Sequence, residues 1–302
     1  MLPTAFCVSI IANLFGIGGS VFYSPIFVML FPLIGVPTMS PADAFGSAIM
    51  TVAVGFGSGS AAYAARSLID FHIALFCVIF TIPTAFLGAY LRRLVPAPAS
   101  LYSFACILLL LVIVRLLIKK WRAESQDDAI ALENLQQVAE YSVAPIRPNN
   151  LYQFITRERI HCEADGNCST YRIKNYGLII FASIIGGLLT GFVSVGAGEL
   201  IGTAFLLQEN FPFKISSGTS LFIVFLTVLS SSIYDLLFIG VSSFPWKLLV
   251  WTMPAVLVGA QVGSFVASRV KRKTWFDHVL TLIFVIVALL STIQATALTF
   301  KK

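Results

Sequence analysis

Charge is what this chain of 302 residues has least of. Asp, Glu, Lys and Arg together make up 11% of it, against roughly a quarter in a soluble domain, too little to clothe a globular surface of this size. Histidine is scarcer still. The three copies, His72, His161 and His278, fall at the edges of apolar segments or in the polar middle of the chain, so no nucleophile, base or ligand set converges on a catalytic centre. Cysteine is scattered. Cys7, Cys77 and Cys106 lie in apolar runs, where a thiol behaves as a small hydrophobe, and they imply no disulfide framework. His161, Cys162 and Cys168 lack the spacing of a zinc site, so neither a metal nor a cofactor is expected. The N-terminus lacks a basic region and a cleavage site before its first apolar run, and reads as a membrane element rather than a signal peptide. A net charge of +6 raises the question of nucleic acid. The basic residues sit beside apolar runs and not on one amphipathic face, which is the pattern of topology signals, and no nucleic-acid partner is expected.

What is present is apolar length. Hydrophobic residues make up 58% and the mean hydropathy is +0.89, so the chain reads as an all-α, polytopic membrane protein whose first partner is the lipid bilayer, with the plasma membrane favoured. Measured against the roughly 20 residues a helix needs to cross hydrocarbon, eight segments emerge. They are 2–31, interrupted at Gly16 to Gly19; 43–65; 71–91, closed by Arg92, Arg93, Pro96 and Pro98; 101–118; 176–207, interrupted at Gly196 to Gly198; 218–240; 246–268; and 276–298. Asp43 is placed to cap the second segment. Residues 122–175 form a polar linker in which 127–141 patterns as a short amphipathic helix and the remainder reads as loop. The divisions are therefore 1–121, a first membrane repeat; 122–175, a linker expected in the cytoplasm; and 176–300, a second membrane repeat.

The two groups of four segments echo each other. Residues 16–25 align without gaps on 194–203, matching Gly18 with Gly196 and Ser20 with Gly198. Ala44-Phe45-Gly46-Ser47-Ala48 aligns on Ser216-Ser217-Gly218-Thr219-Ser220. In the third segment of each group, an aromatic and a glycine stand seventeen residues apart, Phe71 with Gly88 and Trp246 with Gly263. A duplicated unit with a broken helix at corresponding places is the sequence pattern of a transporter, with its site between the repeats.

Gly-Ile-Gly-Gly-Ser at Gly16 to Ser20 followed by Pro25, Ala-Phe-Gly-Ser-Ala at Ala44 to Ala48, Gly88-Ala89 shortly before Arg92, and Gly-Thr-Ser at Gly218 to Ser220 together resemble the sulfite exporter TauE/SafE family of membrane permeases, of the DUF81 type. The resemblance covers both membrane halves. It implies a permease or exporter for sulfur oxyanions or organosulfur acids such as sulfite and organosulfonates. The chain departs from the family pattern at Ala197 and Glu199, where glycines are usual, and at Thr203, which stands opposite Pro25.

The residues carry a consistent chemistry without the family. A small anionic substrate must shed water to cross, and a bare lysine or arginine at the midplane would hold it too tightly to release. Partial charges suit better. Backbone N–H groups at a helix start after a glycine break form an anion site, which makes Gly16, Gly18, Gly19, Gly196 and Gly198 candidate substrate residues. Ser20, Ser47, Thr219 and Ser220 add hydroxyl donors; their alternative role is close helix packing. Glu199, directly after the second break, is a candidate for carrying a coupling proton, its alternative being a local anion that satisfies the helix start. Asp235 reads as interfacial. A multi-pass receptor or membrane-embedded enzyme remains the contrasting function.

Two topologies fit the segments. If all eight cross, the basic loops at 92–93 and 269–273 lie opposite the basic linker flanks, against the positive-inside rule. If each glycine-broken segment is instead a re-entrant hairpin, most basic residues collect on one face and the repeats are inverted. The second arrangement is the one expected.

Overall fold

The computed structural model describes residues 2–15, 19–30, 40–96, 99–114, 116, 158–162, 168–208, 211–238, 246–269 and 274–300. The expected amphipathic helix at 127–141 lies outside these, as do Gly16 and Gly18. In the first half, α1 (Leu2–Phe15) is followed by α2 (Ser20–Pro25), which runs on as a π-helical turn (Ile26–Leu30), then α3 (Pro41–Ala65) and α4 (Phe71–Leu94), and α5 (Ala99–Val114). The second half has α6 (Tyr176–Val193), α7 (Ala197–Leu206), α8 (Phe213–Phe238), α9 (Trp246–Arg269) and α10 (Thr274–Phe300). Between them, part of the linker expected to be loop is an antiparallel hairpin of β1 (Glu158–Cys162) and β2 (Cys168–Arg172), with Glu158 opposite Arg172 and Cys162 opposite Cys168. Alternation of apolar and polar residues in Ile173, Tyr171 and their neighbours was too short a signal to separate strand from loop.

Among the described residues, α3, α4, α6 and most of α8 and α9 are long and apolar enough to span a bilayer. Their outward faces are apolar: Leu75, Ile79, Phe181, Trp251 and Val258 are all more than half exposed. Their inward faces carry small hydroxyl residues, among them Thr51, Ser183, Thr227 and Ser264, whose hydroxyls donate to the carbonyl four residues earlier. This back-bonding is how a hydroxyl is satisfied where no water reaches.

Helix starts follow from local chemistry. Ser40, not Asp43, is the N-cap of α3: its side chain accepts from the Asp43 amide at 3.1 Å. Asp43, three residues on, is placed for a capping box and carries an ion pair to Arg93 at 2.8 Å, a partner that only folding supplies. Asp70 caps α4, accepting from the amides of His72 and Ile73, and Asn175 caps α6.

Packing between the halves is reciprocal. The third apolar segment of each half lies along the first helix of the other: α9 along α1, where Gly259 faces the carbonyl of Phe6 and Gly263 that of Ile10, and α4 along α6, where Gly187 faces Thr81 and Gly191 faces Ala85. Gly88 and Gly263, matched in the sequence repeat, hold equivalent posts. A methyl on Gly263 would stand 2.6 Å from the Ile10 carbonyl oxygen, and one on Gly88 would overlap that of Leu188. The residue order of these contacts gives directions. α1, α3 and α9 run one way, with Gly55 beside Val256 and Arg66 on the Ser264 carbonyl. α4, α6 and α8 run the other way, with Phe71 against Phe222, Thr81 against Thr227 and Arg92 against Asp235. α3 and α8 cross antiparallel, Gly57 meeting Phe225 and Tyr63 meeting Gly218.

Candidate functional site

Both glycine-broken segments fold back on themselves. In the first, Gly19 packs on Ala12 and the Tyr23 hydroxyl donates to the Ala5 carbonyl at 2.9 Å, so α2 retraces α1. In the second, Ala197 returns to the level of Gly186. The Gln208 side-chain oxygen then accepts from the amides of Lys174 and Asn175 at 2.9 and 3.1 Å, tying the end of α7 to the start of α6. The chain thus enters and leaves each break at one end of the molecule. α6 alone has 18 residues, about 27 Å at 1.5 Å per residue, so its tip reaches far across before α7 turns back.

The tips of the two hairpins meet. Ser20 Oγ, at the start of α2, donates to the Ser194 carbonyl, and Ser194 Oγ donates to the Phe45 carbonyl in the first turns of α3 at 3.0 Å. Ser194 is left-handed (φ 67°) and Gly196 takes φ 130°. The latter region is open to glycine almost alone, which is the reason the chain can reverse there. Gly198 is the second residue of α7 rather than part of the break itself. Ser47, on α3 two residues after Phe45, is fully buried, and its hydroxyl has no hydrogen-bond partner among the described residues; the same holds for Ser24 on α2. Orphan hydroxyls in a water-free interior are costly.

The remaining candidates lie elsewhere. Thr219 Oγ1 accepts from the Asp70 amide at 3.0 Å, and Ser220 donates to the Ser217 carbonyl at 3.2 Å beside Gly202. These two belong to the opposite end of the bundle, where the Tyr171 hydroxyl donates to Asp70, the Tyr171 ring packs on Phe211 at 4.4 Å, and His161 Nε2 meets the Ser67 carbonyl at 2.7 Å. The β-hairpin is therefore docked on the loop between α3 and α4. Glu199 accepts from the Gly196 amide at 3.2 Å, while the Ala197 amide is taken by Thr190 Oγ1 at 2.9 Å. The first donors of α7 are thus occupied by protein groups.

Asp235, in the last turn of α8, faces into the bundle and not toward solvent. It and Arg92 are both 0% exposed and form an ion pair in which Arg92 Nη2 donates to both carboxylate oxygens and Nη1 to the Gly191 carbonyl at 3.1 Å. Helix α4 does not close before Arg92 but continues to Leu94, so that Arg92 is presented from the last turn of the helix to the carboxylate on α8. The available signal was Asp235 itself, a carboxylate at the end of an apolar run, which in a membrane points to a partner inside the bundle. Asn13, 1% exposed in α1 beside the first break, also escaped notice. Its side-chain amide donates to the Ser9 carbonyl at 2.9 Å.

A multi-pass α-helical bundle with apolar outer faces, hydroxyl-lined inner faces and two broken helices meeting inside it has the build of an integral membrane transporter. The chain belongs to the sulfite exporter TauE/SafE family, whose model matches residues 1–294. It is 22% identical over 265 residues, 87% of this chain and 86% of the relative, to the "Probable membrane transporter protein YunE" of Bacillus subtilis (strain 168). No solved structure matches it.

Proposed function

We propose that this transporter moves small sulfur-containing anions such as sulfite or organosulfonates by alternating access about the two hairpin tips. The observation that carries the reading is the direct bond between the tips, from Ser20 to the Ser194 carbonyl; the helices α2 and α3 that reach it also carry the unpartnered hydroxyls of Ser24 and Ser47. A substrate oxygen arriving between Gly19, Ser20, Ser47 and Gly196 would find donors that the resting protein leaves unused, or holds in a bond that can be exchanged. Gly16 and Gly18, which precede Gly19 in the chain and lie outside the described residues, are kept as candidates because glycine lets backbone approach a ligand, as is Gly198 in the second segment. Thr219 and Ser220 would serve the path toward the linker end and not the tips. Glu199, as the local anion of the second break, would keep an anionic substrate from lodging on α7, and would carry a proton only when its bond to Gly196 opens.

The helix directions support a reading as inverted repeats: α1 and α3 run opposite to α6 and α8, the elements at matching positions of the second half. With both hairpins re-entrant, Arg66, Arg172, Lys174, Lys214 and the end of α9 gather at the end that carries the β-hairpin, which the positive-inside rule assigns to the cytoplasm. At the other end, Arg92 and Arg93 are neutralised by Asp235 and Asp43. Two such repeats, rocking against each other about fixed tips, would open one end at a time. The test is flux in vesicles reconstituted with the full chain, offered sulfite, sulfate, thiosulfate, taurine and sulfoacetate. Saturable movement of sulfite or a sulfonate is expected; transport confined to cations or neutral solutes would overturn the reading.

A further inference from the structure

Arg92 is the one arginine or lysine among the described residues that is fully buried, and its environment is satisfied only in part. Nη1 and Nη2 are used, but Nε has no hydrogen-bond partner among the described residues. On α8, one turn before Asp235, Ser231 is 0% exposed and its hydroxyl is likewise without a partner. Ser231 stands between Asp235 and Thr227, and Thr227 meets Thr81 of α4 at 3.0 Å, so all three lie on the face of α8 that packs on α4. The ion pair is therefore flanked by two unused donors inside a seam from which water is excluded. It also lies close to the second tip, since the Gly191 carbonyl that Arg92 holds is three residues before Ser194.

We propose that Arg92 takes the charge of the transported anion and that Asp235 is its resident counter-ion. On arrival, a three-oxygen group such as sulfite or a sulfonate displaces Asp235 from Nη2, spans Nε and Nη2 in the forked geometry that guanidinium offers, and accepts from Ser231. The two orphan donors thereby gain partners that the resting protein lacks. The return of Asp235 expels the anion. This solves the problem that a lone arginine in a membrane would present, because its attraction for the substrate is opposed by a carboxylate already in place. The inference rests on the reading of the substrate as an anion.

The experiment measures equilibrium binding of radiolabelled sulfite to the full chain in lipid nanodiscs, together with sulfite flux in vesicles. Removing the competitor in Asp235→Asn should tighten binding by about tenfold or more and slow turnover, whereas a residue that merely holds the fold would weaken both. Arg92→Gln should abolish saturable binding. The double variant Arg92→Gln/Asp235→Asn leaves no unpaired charge; it should insert and melt cooperatively yet bind nothing. Unchanged or weaker sulfite binding by folded Asp235→Asn would overturn the role of Asp235, and wild-type flux through the double variant would overturn that of Arg92. If the unaltered chain binds neither sulfite nor sulfoacetate, the anionic substrate falls and this inference with it.

Discussion

The two hairpin tips answer one mechanical demand by different means. The second closes mainly on its own residues: Gly196 supplies a backbone angle reserved for glycine, Glu199 and Thr190 take the first amides of α7, and Gln208 seals the far end against Lys174 and Asn175. The first is dependent. Gly19, the N-cap of α2, keeps an ordinary helical φ of −55° and has no side-chain cap, and α2 lasts six residues before Pro25 and a π-helical turn. Its hydroxyl is committed to the carbonyl of the other tip. One tip is closed mainly by groups of its own half, and the other is held by a bond across to its neighbour.

The largest effect that would break this comparison is expected at Gly196. Any side chain there must adopt φ 130° and meet Leu189, whose Cβ stands 2.9 Å from the added carbon. Gly196→Ala should cost about 1–3 kcal/mol of stability, and Gly196→Leu should abolish flux while the protein still inserts. Gly19→Ala is the control. Its added carbon would stand 3.1 Å from Ala12 Cβ and 3.3 Å from Val52, a tight but adjustable fit, so a melting shift of no more than about 1 kcal/mol is expected. Equal damage at both glycines in a thermal unfolding series would remove the asymmetry.

A smaller effect separates the hydroxyls. Ser20→Ala frees the Ser194 carbonyl and should lower the affinity for substrate several-fold, while destabilising the protein by about 1 kcal/mol. If Ser20 only bridges the tips, melting will shift with no change in the concentration dependence of flux.

The smallest effect is expected at Glu199. Glutamine retains an oxygen able to accept from Gly196, so Glu199→Gln should alter stability by less than about 1 kcal/mol. If the carboxyl carries a coupling proton, the variant will flatten the pH dependence of transport; an unchanged profile assigns Glu199 to the cap alone.

Much of the architecture was legible because it follows from solvent. Apolar runs of spanning length and clustered glycines located most of the helix bounds to within a few residues and placed both breaks. α8 is an exception at its start: it opens at Phe213 and not Gly218, since Ser216 and Ser217 are buried against neighbouring helices and need no aqueous surroundings. The candidate site was legible as a set of types and not as a place. Ser20 and Ser47 belong near the tips, whereas Thr219 caps the approach to Asp70; the matching residues of the repeat share a register but have different partners. Arg92 and Asp235 read as boundary residues because charge at a segment end ordinarily points to headgroups or water.

By itself, then, the sequence determined the bilayer as solvent, the positions of the breaks and membership of a transporter family, since each depends on composition or on spacing along one chain. Tertiary structure decided which end each hairpin returns to, that Ser20 reaches the carbonyl of Ser194, and that Arg92 turns inward to Asp235. Those are contacts between residues 143 and 174 positions apart. No local pattern encodes them, because in a water-free interior a polar group takes whichever partner the packing of the other half delivers.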